Sequence, residues 1–301
     1  MTVNMVNYPN KLWLAAIKPP MYSVAIMPII LGTAVAFADT QTFQVEIFFT
    51  FLTAAILILA WENLANDVFD SETGIDQNKA HSVVNLTQNK NLVFWLGNLC
   101  LTLGIVEIFL ISWWQKDFTV LGLILLACFL GYTYQGPPFR LGYQGLGEIL
   151  CFLAFGPLAI SAVYYSQTQS FSLISLPVSI IIGITTSIVL FCSHFHQVED
   201  DISAGKRSPI VRLGTAKGAR VLTWSTALIF ALTVIFNLLG YFPPTTLSIF
   251  ASLPWAYQLS DFVQKYHQQP EKVCNCKFLA INFHFTSAIL LTLGFILPNF
   301  F

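Results

Sequence analysis

The sequence predicts an all-α fold: a polytopic membrane protein with nine transmembrane helices, built as two four-helix units plus one, its N-terminus cytoplasmic. Three observations lead there. Of 301 residues, 55% are hydrophobic and 10% charged, with a mean hydropathy of +0.68, outside the range of soluble globular chains. Nine apolar stretches approach the roughly 20 residues that a hydrocarbon core of about 30 Å requires. The basic residues then divide sharply between the two sides that nine crossings define.

Residues 1–20 are expected to form a polar cytoplasmic N-terminal segment carrying Lys11 and Lys18, with no cleavable signal peptide. Residues 21–301 are expected to form a single integral membrane domain. Its spans read as 21–38, 45–65, 92–113, 118–134, 147–165, 173–194, 219–240, 244–262 and 278–297, the fourth and eighth being short. The loops after spans 2, 4, 6 and 8 share a side with the N-terminus. Together they hold all of the 14 Lys and Arg residues except Lys116. This satisfies the positive-inside rule, and a miscounted span would scramble it. Cys100, Cys128, Cys151 and Cys192 lie within spans and read as small packing residues. The lone C-x-C of Cys274 and Cys276 lacks the second pair a zinc site needs. The near-zero net charge, with no stripe of basic and aromatic residues, gives no case for nucleic acid.

The acids share the basic side. "NLANDVFDSETGIDQNKAH" (63–81) leaves span 2 with Asp67, Asp70, Glu72 and Asp76. "HFHQVEDDISAGKRSPIVRLG" (194–214) leaves span 6. Each set follows the second helix of a four-helix unit, as a duplicated half would have it. If span 2 stays helical to about residue 70, Asn66 and Asp70 are one turn apart, Asp67 lies on the adjoining edge, and Asn63 extends the stripe one turn deeper. In the second set Gln197 and Asp201 share a face with Asp200 beside them, while Glu199 points away. One such set reads equally well as solvated loop acids. Two at matching positions, flanked by Lys79, Arg140, Lys206, Arg207 and Arg212, read as a cradle for Mg²⁺ and a diphosphate. Mg²⁺ takes oxygen ligands and keeps several waters, and the basic loops answer the remaining anionic charge.

These residues resemble the UbiA superfamily of intramembrane prenyltransferases, within it the branch that prenylates 1,4-dihydroxy-2-naphthoate. The pattern N-D-x-x-D-x-x-x-G-x-D stands as Asn66, Asp67, Asp70, Gly74 and Asp76. "LWLAAIKPPMYSVAIMPIILGTAVA", "YTYQGPPFRLGYQGLGEI" and "GKRSPIVRLG" follow the family's order of blocks from about residue 11 to 220. Two departures stand out. Gln197 occupies a position where the branch has an acid, and an amide oxygen ligates without bringing charge. "KAHSVVNLT" replaces an Arg and Pro, which leaves Lys79 or His81 to do that work. "SETGIDQNKAHSVVNLT" with "HFHQVEDD" is similar to the cyanobacterial and plastid subgroup, associated with phytyl diphosphate and phylloquinone.

The resemblance implies Mg²⁺ as cofactor, with Asn66, Asp67, Asp70, Asp76, Gln197, Asp200 and Asp201 as its ligand set. Asp67, Asp70 and Asp201 are the catalytic acids it implies. Asn63, Lys79, Tyr134, Arg140, Lys206 and Arg207 are the substrate-binding set, with Lys206 and Arg207 equally able to meet anionic headgroups. The partners are phytyl or another prenyl diphosphate, 1,4-dihydroxy-2-naphthoate and membrane lipid. Ionisation of the allylic C–O bond leaves a carbocation-like carbon, the hydroxylated ring attacks it, and the carboxylate leaves as CO₂. A dry bundle protects that cation, and Tyr132 and Tyr134 are candidate π-faces for it, although tyrosine is common at membrane interfaces anyway. His194 and His196 read as interfacial histidines, and Glu107 in span 3 is given no role. The same scaffold could instead serve another aromatic acceptor such as homogentisate. From a different class, a cation transporter would use the acids as ion ligands, but transport sites usually sit near the midplane.

Overall fold

The computed structural model describes residues 8–75 and 82–300, which form helices joined by turns, with no β-strand among them. In chain order, α1 (Tyr8–Ile17) leads through a short 3-10 turn into α2 (Ser23–Thr40). Next come α3 (Val45–Thr73), the short α4 (Val83–Thr87), α5 (Lys90–Gln115) and α6 (Thr119–Gln135). α7 (Gly147–Leu153) continues through a π-turn at Ala154–Leu158 into α8 (Ala159–Thr168), and α9 (Ser175–Ser193) follows. The short α10 (Val198–Ser203) and α11 (Pro209–Leu213) precede α12 (Thr215–Leu238). A 3-10 stretch, Pro244–Ser252, opens into α13 (Leu253–Tyr266), and α14 (Pro270–Val273) and α15 (Cys276–Ile296) close the order.

Seven helical segments are long and apolar enough to cross a membrane: Leu12–Thr40, Val45–Thr73, Lys90–Gln115, Gly147–Thr168, Ser175–Ser193, Thr215–Leu238 and Pro270–Asn299. The protein is therefore an integral membrane protein. The two short stretches of the sequence reading, 118–134 and 244–262, coincide with α6 and with the 3-10 stretch running into α13. On α5, exposed Trp95 and exposed Trp113 stand 18 positions apart. At 1.5 Å per residue that is about 27 Å, close to one hydrocarbon thickness between two aromatic anchors.

The apolar core divides into two main clusters. One draws on α3, α5 and α6, the other on α9, α12, α13 and α15, and α2 and α8 contribute to both. α2, α9 and α15 are buried over most of their apolar length, whereas α3, α5 and α12 bury less than a third of theirs. α15 packs along α2, so the first and last long apolar segments lie side by side.

The π-turn has a local cause: Pro157 lacks the N–H that a regular turn would use. It lies where α7–α8 presses against α9. A Cβ on Gly156 would stand 2.5 Å from the carbonyl oxygen of Ser179 and 3.0 Å from the Cα of Gly183. Small residues are what let two helices touch backbone to backbone in lipid. Gly156→Leu is expected to destabilise the protein by about 1–3 kcal/mol through overpacking, read as a lowered thermal midpoint in detergent. Gly122→Ala, at a position with nothing within 4 Å, is expected to leave that midpoint unchanged.

Candidate active site

The first acid set is carried on regular helix. α3 runs well past its apolar part and stops only at Gly74, which caps it with φ of 76°, a left-handed conformation glycine reaches without a steric penalty. Asn63, Asn66, Asp67 and Asp70 therefore lie on one helical stripe, as the spacing predicts. Asp67 and Asp70 are buried. Asp67 accepts a hydrogen bond from the Val83 N–H (2.8 Å), holding the start of α4, and faces Lys18 Nζ at 3.5 Å. Asp70 lies on the wall of a cavity of about 990 Å³, as do Asn63 and Asn66. Gln135 Nε2 donates to Asn66 Oδ1.

The second set is built differently. α9 stops at Ser193, and the chain turns through His194–Gln197 before α10 begins. The Asp201 N–H donates to the Gln197 carbonyl at 2.7 Å, so the two stand one turn apart. Gln197 lines the cavity. Asp200 is half-buried and Glu199 exposed. Asp201 is fully buried, its oxygens 3.4 Å from both His194 Nδ1 and Lys206 Nζ. Burial pushes its carboxyl up, but the His194 imidazole and the Lys206 ammonium outweigh this and hold it below the ordinary aspartate value. His194 Nε2 in turn faces Glu148 Oε1 of α7 at 3.5 Å. His194, at the end of α9, is thus buried between two carboxylates.

Tyr143, in the loop between α6 and α7, joins the two sets. Its hydroxyl donates to Asp70 Oδ1 at 3.2 Å and lies 2.6 Å from Thr73 Oγ1. Burial and the Asp70 charge push its phenol up, so it serves as a donor rather than an anion. Its carbonyl accepts from the Arg207 N–H at 2.8 Å, and Lys206 Nζ sits 5.7 Å from its ring centre.

The other expected basic contacts sort by burial. Lys206 is buried and lines the cavity. Arg207 is exposed, and Arg140 pairs with Glu72 at 3.3 Å. Arg212 donates to the carbonyls of Gln144 and Arg207 and so ties loops together. Asp76, Lys79 and His81 lie outside the described residues. Tyr134 is on the cavity wall, its ring packed over Gly142 and Gly147 and within electrostatic reach of Asp70, Glu148 and Asp201. Lys18, Glu62, Gln135, Tyr143 and Glu148 complete this region, and the motifs did not single them out. Only the place of Glu62 inside an apolar span was a signal that sequence alone offered.

The cavity is polar at this end and apolar below, where Leu59, Trp61, Leu130 and Phe155 line it. Among the described residues, no three His, Cys, Asp or Glu side chains converge as a metal-holding group. The wall nevertheless carries a group of oxygen donors: Asn63, Asn66, Asp70 and Gln197. Buried Gln135 Oε1 has no protein partner. A sparse oxygen set suits Mg²⁺, which is commonly held by one or two carboxylates together with waters and substrate phosphates.

The comparisons agree with this architecture. Residues 25–285 match the UbiA prenyltransferase family. The chain is 59% identical over 286 residues to the 2-carboxy-1,4-naphthoquinone phytyltransferase of Synechocystis, covering 95% of this chain and 93% of that protein. It is 41% identical over 297 residues to the chloroplastic 2-carboxy-1,4-naphthoquinone phytyltransferase of Arabidopsis thaliana, covering 96% and 78%. A UbiA homolog from Archaeoglobus fulgidus has the same fold, with a TM-score of 0.63 at 15% identity over 96% of this chain and 99% of that one. That homolog bound to DMAPP and Mg²⁺ superposes at 0.56, with 13% identity over 93% and 98%. This chain belongs to the UbiA prenyltransferase family, and it is a prenyltransferase.

Breaking one buried pair tests the site's electrostatics. Lys206→Met strands the Asp201 carboxylate, at an expected cost of about 3–5 kcal/mol, and adding Asp201→Asn is expected to recover more than half of it. Because the Asp201 carboxyl is held low, its stabilisation is fully present above about pH 4 and is lost as pH falls through the lowered value. Acid-unfolding curves of Asp201→Asn should lack that part of the slope.

Proposed function

We propose that this protein transfers a phytyl group from phytyl diphosphate to 1,4-dihydroxy-2-naphthoate with loss of CO₂, giving demethylphylloquinol in phylloquinone or menaquinone biosynthesis. The carrying observation is the meeting of both acid sets, through Tyr143 and Lys206, at the polar end of one otherwise apolar cavity. Identity of 59% to a phytyltransferase supports the donor and the naphthalene acceptor. The relatives' names give that acceptor at the quinone level. Attack on an electron-poor allylic carbon needs an electron-rich ring, so the dihydroxy form, two electrons more reduced, is the reacting one.

In this reading Asn66, Asp70 and Gln197 on the wall would hold Mg²⁺, with Asp67, Asp200 and Asp201 behind them and Asp76 added from outside the described residues. When bound, the metal supplies positive charge against the departing diphosphate. Lys18 and Lys206 stand at the wall to hold diphosphate oxygens, and Asn63 donates from one turn deeper. Arg140, Arg207 and Lys79 draw the anionic head toward the mouth. Tyr134 offers its ring to the developing cation, and the apolar walls below Asp70 keep out the water that would quench it. The phytyl tail continues into lipid.

We also propose nine crossings: the seven long segments together with α6 and the Pro244–Tyr266 segment. The N-terminal segment 1–20 and the polar end of the cavity then face the cytoplasm, and residues 21–301 form one domain. The basic-residue asymmetry supports this orientation.

The test uses membranes containing the protein, Mg²⁺ and 1,4-dihydroxy-2-naphthoate, with phytyl and geranylgeranyl diphosphate in competition. Phytylated naphthoquinol and CO₂ are expected in equal amounts. EDTA should abolish them, and Asp70→Ala should lower them by about 100-fold or more. Prenylation of homogentisate but not of the naphthoate would overturn the acceptor. Absence of transfer to any aromatic acceptor would overturn the reaction.

A further inference from the structure

Glu62 is a carboxylic acid set at membrane depth with no ion-pair or hydrogen-bond partner among the described residues. It sits on α3 one turn inward from Asn66 and two from Asp70, on the same face, which places it about 12 Å deeper than Asp70 along the helix. It lines the main cavity below the polar end and also borders a smaller apolar pocket of about 60 Å³ between α2, α3, α6 and α8. Its room comes from Gly131 on α6, where any Cβ would collide with Glu62 Oε1. The titratable groups facing it are the thiols of Cys128 on α6 and Cys151 on α7. Glu107, the acid of span 3, does not line the cavity. An ionisable group at this depth is costly to keep and marks function by default.

We propose that Glu62 is a catalytic residue of this reaction: its carboxylate takes, and then returns, the proton of the ring hydroxyl next to the carbon that is prenylated. The proposal rests on the naphthoate acceptor argued above. As the allylic C–O bond breaks, the ring carbon bearing the carboxylate forms the new C–C bond. The electron pair for that bond is drawn through the ring from the neighbouring hydroxyl, which becomes a carbonyl and must release its proton. The product of that step is a β-keto carboxylate. It loses CO₂, and the electron pair left behind makes an enolate that needs a proton to become the aromatic hydroxyl again. No proton is gained or lost overall, so the step calls for one group that lends and recovers it in a dry place. The acids around Asp70 are committed to the diphosphate end. Glu62, two turns below, stands where a ring stacked against the allylic carbon would present its hydroxyl.

The test compares wild type, Glu62→Gln, Glu62→Asp and Asp70→Ala in anaerobic membranes, following prenylated naphthoquinol at saturating phytyl diphosphate between about pH 6.5 and 9. The amide keeps the shape and removes a buried charge, so donor KM should stay within about twofold of wild type. General-base loss should lower the Glu62→Gln rate about 100-fold near neutrality. That rate should then climb about tenfold per pH unit over the upper part of this range, as the hydroxyl ionises without help, where the wild type has levelled off. Glu62→Asp should recover part of the loss. An unchanged rate in Glu62→Gln overturns the proposal. So does a loss that is equal at every pH in both variants, which is the signature of altered packing. If wild type itself makes no prenylated naphthoquinol, the acceptor reading falls instead. If wild type makes it and Glu62→Gln keeps the full rate, only the role of Glu62 falls.

Discussion

The cost of burying carboxylates is the constraint around which this membrane bundle is arranged. Asp67, Asp70 and Asp201 are buried at the edge of an apolar core, where unanswered charge is expensive. Each is answered from a different element: Lys18 and the start of α4 for Asp67, Tyr143 for Asp70, and Lys206 with His194 for Asp201. The loop carrying Tyr143 and the turn carrying Lys206 are thereby drawn over the same end of the bundle. The cap is consequently polar and well connected, while the chamber beneath it is lined mainly by apolar side chains.

That division matches an amphipathic substrate. A diphosphate head and an isoprenoid tail ask for opposite surroundings, and one cavity can supply both only if its ends differ in polarity. The two-cluster core makes this possible. α2 and α8 belong to both clusters, so they hold the halves together without filling the chamber. The close contact of Gly156 with Gly183 keeps α7–α8 against α9, which delivers His194 to Glu148.

Much of this was legible in the sequence. Hydropathy found every long helix, because a bilayer imposes length and apolarity on each crossing directly. The stripe from Asn63 to Asp70 was legible too, since its residues share one helix and helical spacing alone aligns them. Tyr143, Lys18 and Glu148 were not legible. Their roles depend on which loop folds over which helix end, a property of tertiary packing that leaves no local pattern. The setting of His194 was not legible for the same reason: its two carboxylate neighbours come from α7 and α10. Glu62 stands in the sequence as a single acid inside an apolar run, and what faces it there depends on Gly131 and Cys128 of α6, which only packing brings near.

The pairing of α2 with α15 bears on how the molecule is made. The two helices lie about 250 residues apart in the chain. At about 5–20 residues per second of synthesis, α2 enters the bilayer roughly 10–50 s before its partner exists. Through that interval one of the most enclosed helices of the finished protein stands with its inner face against lipid or against whatever guards nascent membrane segments. The chamber has no complete wall until α15 arrives. A chamber missing that wall cannot exclude water or lipid, so the growing chain gains an enclosed cavity only with its last long helix.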